Sequence, residues 1–152
     1  MRSMVFVYLL FIFLMFQPRV VLAELGGSEN NINNEEKHFK AKSHKKTQRL
    51  GYSVHELVLE GIKVKEFVSL SGTIFAVSWR GMTTPDLKVL FGNYYTEYEK
   101  EKASIKIQKG RRSVGVATTN IVVNHGGQMR DMRGFAYVPA VVPAGLDLNT
   151  LE

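Results

Sequence analysis

Three runs rich in β-branched and aromatic residues follow one another between Tyr52 and Arg80: Tyr52 to Leu59, Ile62 to Ser69 and Thr73 to Arg80. Only Glu60-Gly61 and Leu70-Ser71-Gly72 separate them. Gly-containing breaks this short argue for hairpins, and hence for an antiparallel three-stranded meander. The folded part is therefore expected to begin near Gly51.

Parity then assigns faces. A two-residue turn at Glu60-Gly61 pairs Leu59 with Ile62, Leu57 with Val64 and His55 with Glu66, and all six side chains share one face. The opposite face carries Val58 with Lys63, Glu56 with Lys65, and Val54 with Phe67. An even-length second loop puts Phe75, Val77 and Trp79 on the face of Val64, Glu66 and Val68, and leaves Ile74, Ala76, Ser78 and Arg80 on the other. The first face is much the more apolar and should lie beneath a helix.

That helix is expected after Met82. Thr84 suits an N-cap, Pro85 the first helical position and Asp86 the positive helix start. Leu87, Leu90, Phe91, Tyr94 and Tyr98 recur at the spacing of one helical face. Gly92 within it costs about 1 kcal/mol relative to alanine. Further strands are expected at Val114 to Ala117, Asn120 to Asn124, Gln128 to Met132 and Phe135 to Val138, broken at His125-Gly126-Gly127 and at Arg133-Gly134. Pro139 and Pro143 end regular pairing. The fold class is thus α+β: an antiparallel sheet, built from the N-terminal meander and the C-terminal strands, with one long amphipathic helix packed on one face.

The N-terminus reads differently. Arg2, an apolar run from Met4 to Phe16 and the small residues Val21 and Ala23, at minus three and minus one, have the pattern of a secretory signal peptide over residues 1–23. The run is short for a membrane span. Cleavage after Ala23 would leave no span and an exported, periplasmic or secreted chain. Losing Arg2 and Arg19 would lower the net charge from +6 to +4. The chain has no cysteine, so the exported domain must hold together without disulfides. Residues 24–50 read as a polar, basic, flexible lead-in with room for a short exposed helix, and 51–152 as a single domain. Lys37, Lys40, Lys42, Lys45, Lys46 and Arg49 crowd the lead-in, and Lys106, Lys109, Arg111 and Arg112 form a second basic cluster. Neither is interleaved with aromatics for base stacking, so no nucleic-acid partner is expected.

The chemistry-bearing residues are few. His55 and Glu56 adjoin in sequence, but parity sends them to opposite faces, with Glu56 beside Lys65. His55 and Glu66 emerge as cross-strand neighbours on the buried face. A carboxylate beside an imidazole stabilises the protonated ring and orients it. The pair is either the base and orienting acid of a small hydrolase or a self-satisfying polar contact. The four histidines have no metal-ligand spacing, and there is no phosphate loop, dinucleotide fingerprint or nucleophile elbow. No metal or cofactor is expected. His125-Gly126-Gly127 reads as a hairpin turn.

Several stretches resemble the bacterial exported proteins grouped as domain-of-unknown-function family 2844. They are LGG at Leu25 to Gly27, YSVHEL at Tyr52 to Leu57, VKEFVS at Val64 to Ser69, GTIFAVSWRG at Gly72 to Gly81 and PDLKVLFGNY at Pro85 to Tyr94, followed by GGQMR at Gly126 to Arg130 and GFAYVPAVVPAG at Gly134 to Gly145. Met82 departs from the family's tendency to place proline after the Trp-x-Gly. The resemblance implies an envelope protein of a Gram-negative bacterium and carries over no activity. Three readings follow. The first is a non-enzymatic domain binding an envelope protein, with Lys63, Lys65 and Phe67 as the binding patch. The second is a hydrolase using His55 and Glu66. The third is attachment of the basic lead-in to an anionic surface.

Overall fold

The structure, a computed structural model, describes residues 24–105 and 112–151. The expected signal segment, and Lys106, Lys109 and Arg111 of the second basic cluster, lie outside the described residues. Seven strands form one antiparallel sheet: β1 (Ser43–Arg49), β2 (Tyr52–Val58), β3 (Ile62–Ser69), β4 (Ile74–Gly81), β5 (Ser113–Ala117), β6 (Val122–Gln128) and β7 (Asp131–Tyr137). Their order across the sheet is β1-β2-β3-β4-β7-β6-β5. The helices are α1 (Ile32–His38), α2 (Leu87–Phe91) and α3 (Tyr95–Ser104), the last two joined by a 3-10 turn, Gly92–Tyr94. The fold is α+β, as the sequence predicts. No helix among the described residues is long and apolar enough to cross a membrane.

The helices cover one face of the sheet, hereafter the helical face. Leu57, Val64, Val77, Trp79, Val123 and Ala136 form a core there with Leu90, Phe91 and Tyr98. Leu25 and Ile32 belong to the same core. On the other face Phe67, Phe75, Ala76 and Phe135 pack against Leu151, with Val141, Val142, Leu146 and Leu148 around them. The C-terminal segment thus covers that end of the second face.

Four expectations need correction. First, the stretch read as a flexible lead-in is built into the fold. Leu25 and Ile32 are buried, residues 32–38 are α1, and residues 43–49 are the edge strand β1. Polar residues hid this strand, because SHKKTQR shows no apolar alternation. Lysines on an edge strand also discourage pairing with another chain. Second, the β3–β4 register shifts between Phe67 and Val68, so that Phe67 opposes Ala76 while Val68 opposes Ile74. One extra residue reverses the parity beyond it. Ile74 therefore lies in the helical-face core and Phe75 on the second face.

Third, His125-Gly126-Gly127 is not a turn but part of β6, and Arg133-Gly134 lies within β7. Gly134 makes room rather than a bend: a Cβ there would sit 2.1 Å from the Trp79 ring. Fourth, the helix cap is Asp86, whose carboxylate accepts from the Lys88 backbone N–H at 3.0 Å. The helical stretch also breaks at Gly92, where φ is +49°. The Glu24 carboxylate fills that break and accepts from the Asn93 backbone N–H at 3.0 Å and from its side-chain amide at 2.6 Å.

Candidate functional site

Two regions hold the polar residues that can carry function. One is a nest beneath α1 on the helical face; the other is the uncovered end of the second face.

The nest begins with register. β2 and β3 pair His55 directly with Glu66, and both are buried, 5% and 2% exposed. They do not form the expected unit. His55 gives one ring nitrogen to Glu29 Oε1 at 2.8 Å and the other to His44 Nε2 at 2.9 Å. His44 Nδ1 in turn reaches Glu36 Oε2 at 3.0 Å. The result is a chain Glu36–His44–His55–Glu29, with Lys46 donating to Glu29 at its outer end. Three hydrogen bonds along this chain use three ring protons, so the two imidazoles together carry one positive charge when it is complete. Burial disfavours that charge on His55, whose pKa is lowered although Glu29 pulls it the other way. The Lys46 ammonium, followed by His55, holds Glu29 below the usual carboxylate range against its own desolvation.

Glu66 turns to a different partner. In α1, Glu35 lies three residues after Ile32, so the two share the helix face that points inward. Glu35 is fully buried, and its carboxyl acts directly on that of Glu66. Both oxygens of Glu35 and Oε2 of Glu66 are buried and, among the described residues, receive no N–H or O–H from another group. Burial raises the pKa of Glu35, and the neighbouring Glu66 charge raises it further. Burial raises Glu66 as well, with Glu35 and His44 working against it. Glu35 was missed by sequence reasoning, since nothing marks one glutamate of an Asn- and Glu-rich stretch as buried. Its distance from Ile32 is the one available signal.

Among the described residues, no group of three or more His, Asp or Glu side chains could hold a metal ion. Another polar contact lies further along this face, where the Tyr98 hydroxyl meets His125 Nε2 at 2.8 Å beside Trp79.

The second face divides into two parts. Phe67, read from sequence as part of a binding patch, is 3% exposed and lies in the cluster packed against Leu151. It offers no surface. Lys63 is exposed and Lys65 half-buried. Lys63, rather than Lys65, pairs with Glu56, at 3.2 Å. Register extends the row beyond the meander: Lys63 opposes Arg80, and Arg80 opposes Arg133. Alternation puts Lys45, Lys65, Arg80 and Arg133 on the same face as Lys63. Two carboxylates accompany these five cations, Glu56 and Asp131, the latter bridging Arg80 and Arg133 at 3.0 and 2.8 Å. Their arginines hold Asp131 below the usual carboxylate range, Arg133 first and Arg80 next. Of the basic lead-in, Lys45 lies in this row and Arg49 on the same face beside Tyr52; Lys46 serves Glu29, and Lys42 lies 3.8 Å from Glu60.

No curated protein and no solved structure matches the chain significantly. One family model does match, over residues 21–151, which takes in the nest, the cationic row and the C-terminal cover alike. The chain therefore belongs to the family described as Protein of unknown function (DUF2844).

Proposed function

We propose that the protein is an exported, non-enzymatic binding domain that docks an anionic envelope component on the open part of its second face. The observation that carries this reading is the line Lys63–Arg80–Arg133, three cations on adjacent strands with Lys45 and Lys65 alongside. Like charges directly opposite one another in a sheet are destabilising. Asp131 and Glu56 relieve part of that repulsion and leave an excess of positive charge. An anionic partner would relieve the rest. Export is supported by the amino-terminal pattern of Arg2 and the apolar run.

The ligand chemistry is a repeated phosphate or carboxylate, and attraction at such a surface is screened by salt. The test uses anionic lipid vesicles and, separately, a carboxylated polysaccharide. Wild type should bind one of them at low salt and release it as salt rises. Arg80→Glu with Arg133→Glu should abolish binding with the fold intact by circular dichroism. Failure of wild type to bind either probe, or unchanged binding by the double variant, would overturn the proposal.

A further inference from the structure

We propose that Glu35 and Glu66 form a proton-binding site that clasps α1 to the sheet and lets it go as pH rises. The site joins two elements that share no backbone hydrogen bond ladder: Glu35 comes from α1 and Glu66 from the interior strand β3. The two carboxyls are buried together on the helical face and act directly on each other. Ionised carboxylates only accept, and two acceptors cannot bond one another. One proton between them turns repulsion into a hydrogen bond. No other donor among the described residues serves the three buried oxygens.

The surroundings do not replace that proton. Glu24 faces Glu35 and adds negative charge. His44, on β1, faces Glu66 but spends its two nitrogens on Glu36 and His55. His55, paired with Glu66 across β2 and β3, spends its nitrogens on His44 and Glu29, and Lys46 is held by Glu29. Glu36, Glu29 and Lys46 stand one contact further out. Among the described residues named here, each cation is thus already committed to another carboxylate. Loss of the proton leaves buried negative charge that only solvent can relieve, and α1 is the element able to move away. Its hold on the sheet, apart from the clasp, is Ile32 in the core and the contact of Glu36 with His44 on β1, with Phe39 just beyond its end.

Two measurements on the full chain test this. The first is the carboxyl carbon NMR signal of Glu35 and Glu66 in wild type. At pH 7 one shared proton should be present, and it should be lost at higher pH. Two fully ionised carboxylates at pH 7 would overturn the clasp. The second compares amide exchange of α1 in wild type and in Glu66→Gln, whose neutral amide can donate to Glu35 at any pH. The ratio of the two rates cancels the base catalysis of exchange. It should climb by up to about tenfold per pH unit above neutrality, the signature of one proton released on opening. A flat ratio would overturn the clasp. If Glu66→Gln does not fold, the carboxyl signals decide alone.

Discussion

At the scale of single residues, buried ionisable groups set opposing slopes of stability with pH. His55 and His125 have lowered pKa values, chiefly through burial. The unfolded chain then binds protons more readily, so their contribution is complete above the unfolded value of about 6.5 and is lost as pH falls through the folded value. Glu35 and Glu66 act in reverse. Their raised values mean the folded state retains a proton that the unfolded state releases. Their contribution is complete below the unfolded value of about 4.5 and is lost as pH rises toward the folded values, by about 1.4 kcal/mol per pH unit for each proton retained. Denaturant melts between pH 5 and 9 should show a maximum near neutrality, and Glu66→Gln should flatten the alkaline side. A second residue-scale prediction concerns space. Gly134→Ala would drive a Cβ into the Trp79 ring, 2.1 Å away. Overpacking of this kind costs about 1–3 kcal/mol, readable as a lowered denaturation midpoint.

At the scale of elements, the amino-terminal segment is part of the core and not a tether. Ile32 is 1% exposed, so Ile32→Ala should cost about 2–5 kcal/mol in equilibrium unfolding. Deletion of residues 24–49 should lose cooperative unfolding altogether, because it removes β1 and uncovers Leu57, Val64 and Val68. The sequence shows some of these elements and hides others for physical reasons. β2 is legible because a half-buried strand alternates, β3 and β4 because their β-branched and aromatic runs end at Gly-containing breaks, and α2 and α3 because Leu90, Phe91 and Tyr98 keep a helical spacing. β1 is hidden because an edge strand with one lightly covered face needs no apolar alternation. β6 and β7 were read with breaks because glycine signals a turn in isolation, whereas here Gly134 admits a ring from the neighbouring strand. His55 and Glu66 were correctly placed on the same face by parity. Their separate allegiances, to Glu29 and Glu35, depend on a segment whose burial no local pattern announces.

At the scale of the whole molecule, the two faces of the sheet differ in kind. One is sealed by helices over the acid and histidine nest; the other is only partly covered and carries the cationic row. Reversal of Arg80 and Arg133 should remove anion binding while α1 exchange keeps its pH dependence, since the two sites lie on opposite faces. A single electrophoretic and exchange series on the double variant would check that independence. The connection between Glu24 and Asn93 has a kinetic consequence. It joins residues 69 positions apart in the chain. Closing so long a loop is entropically costly before its contacts reward it. The clip should therefore form after the folding barrier has been crossed and act as a latch on the finished molecule. Weakening it, as Glu24→Ala would, should leave the refolding rate nearly unchanged and shorten the lifetime of the native state.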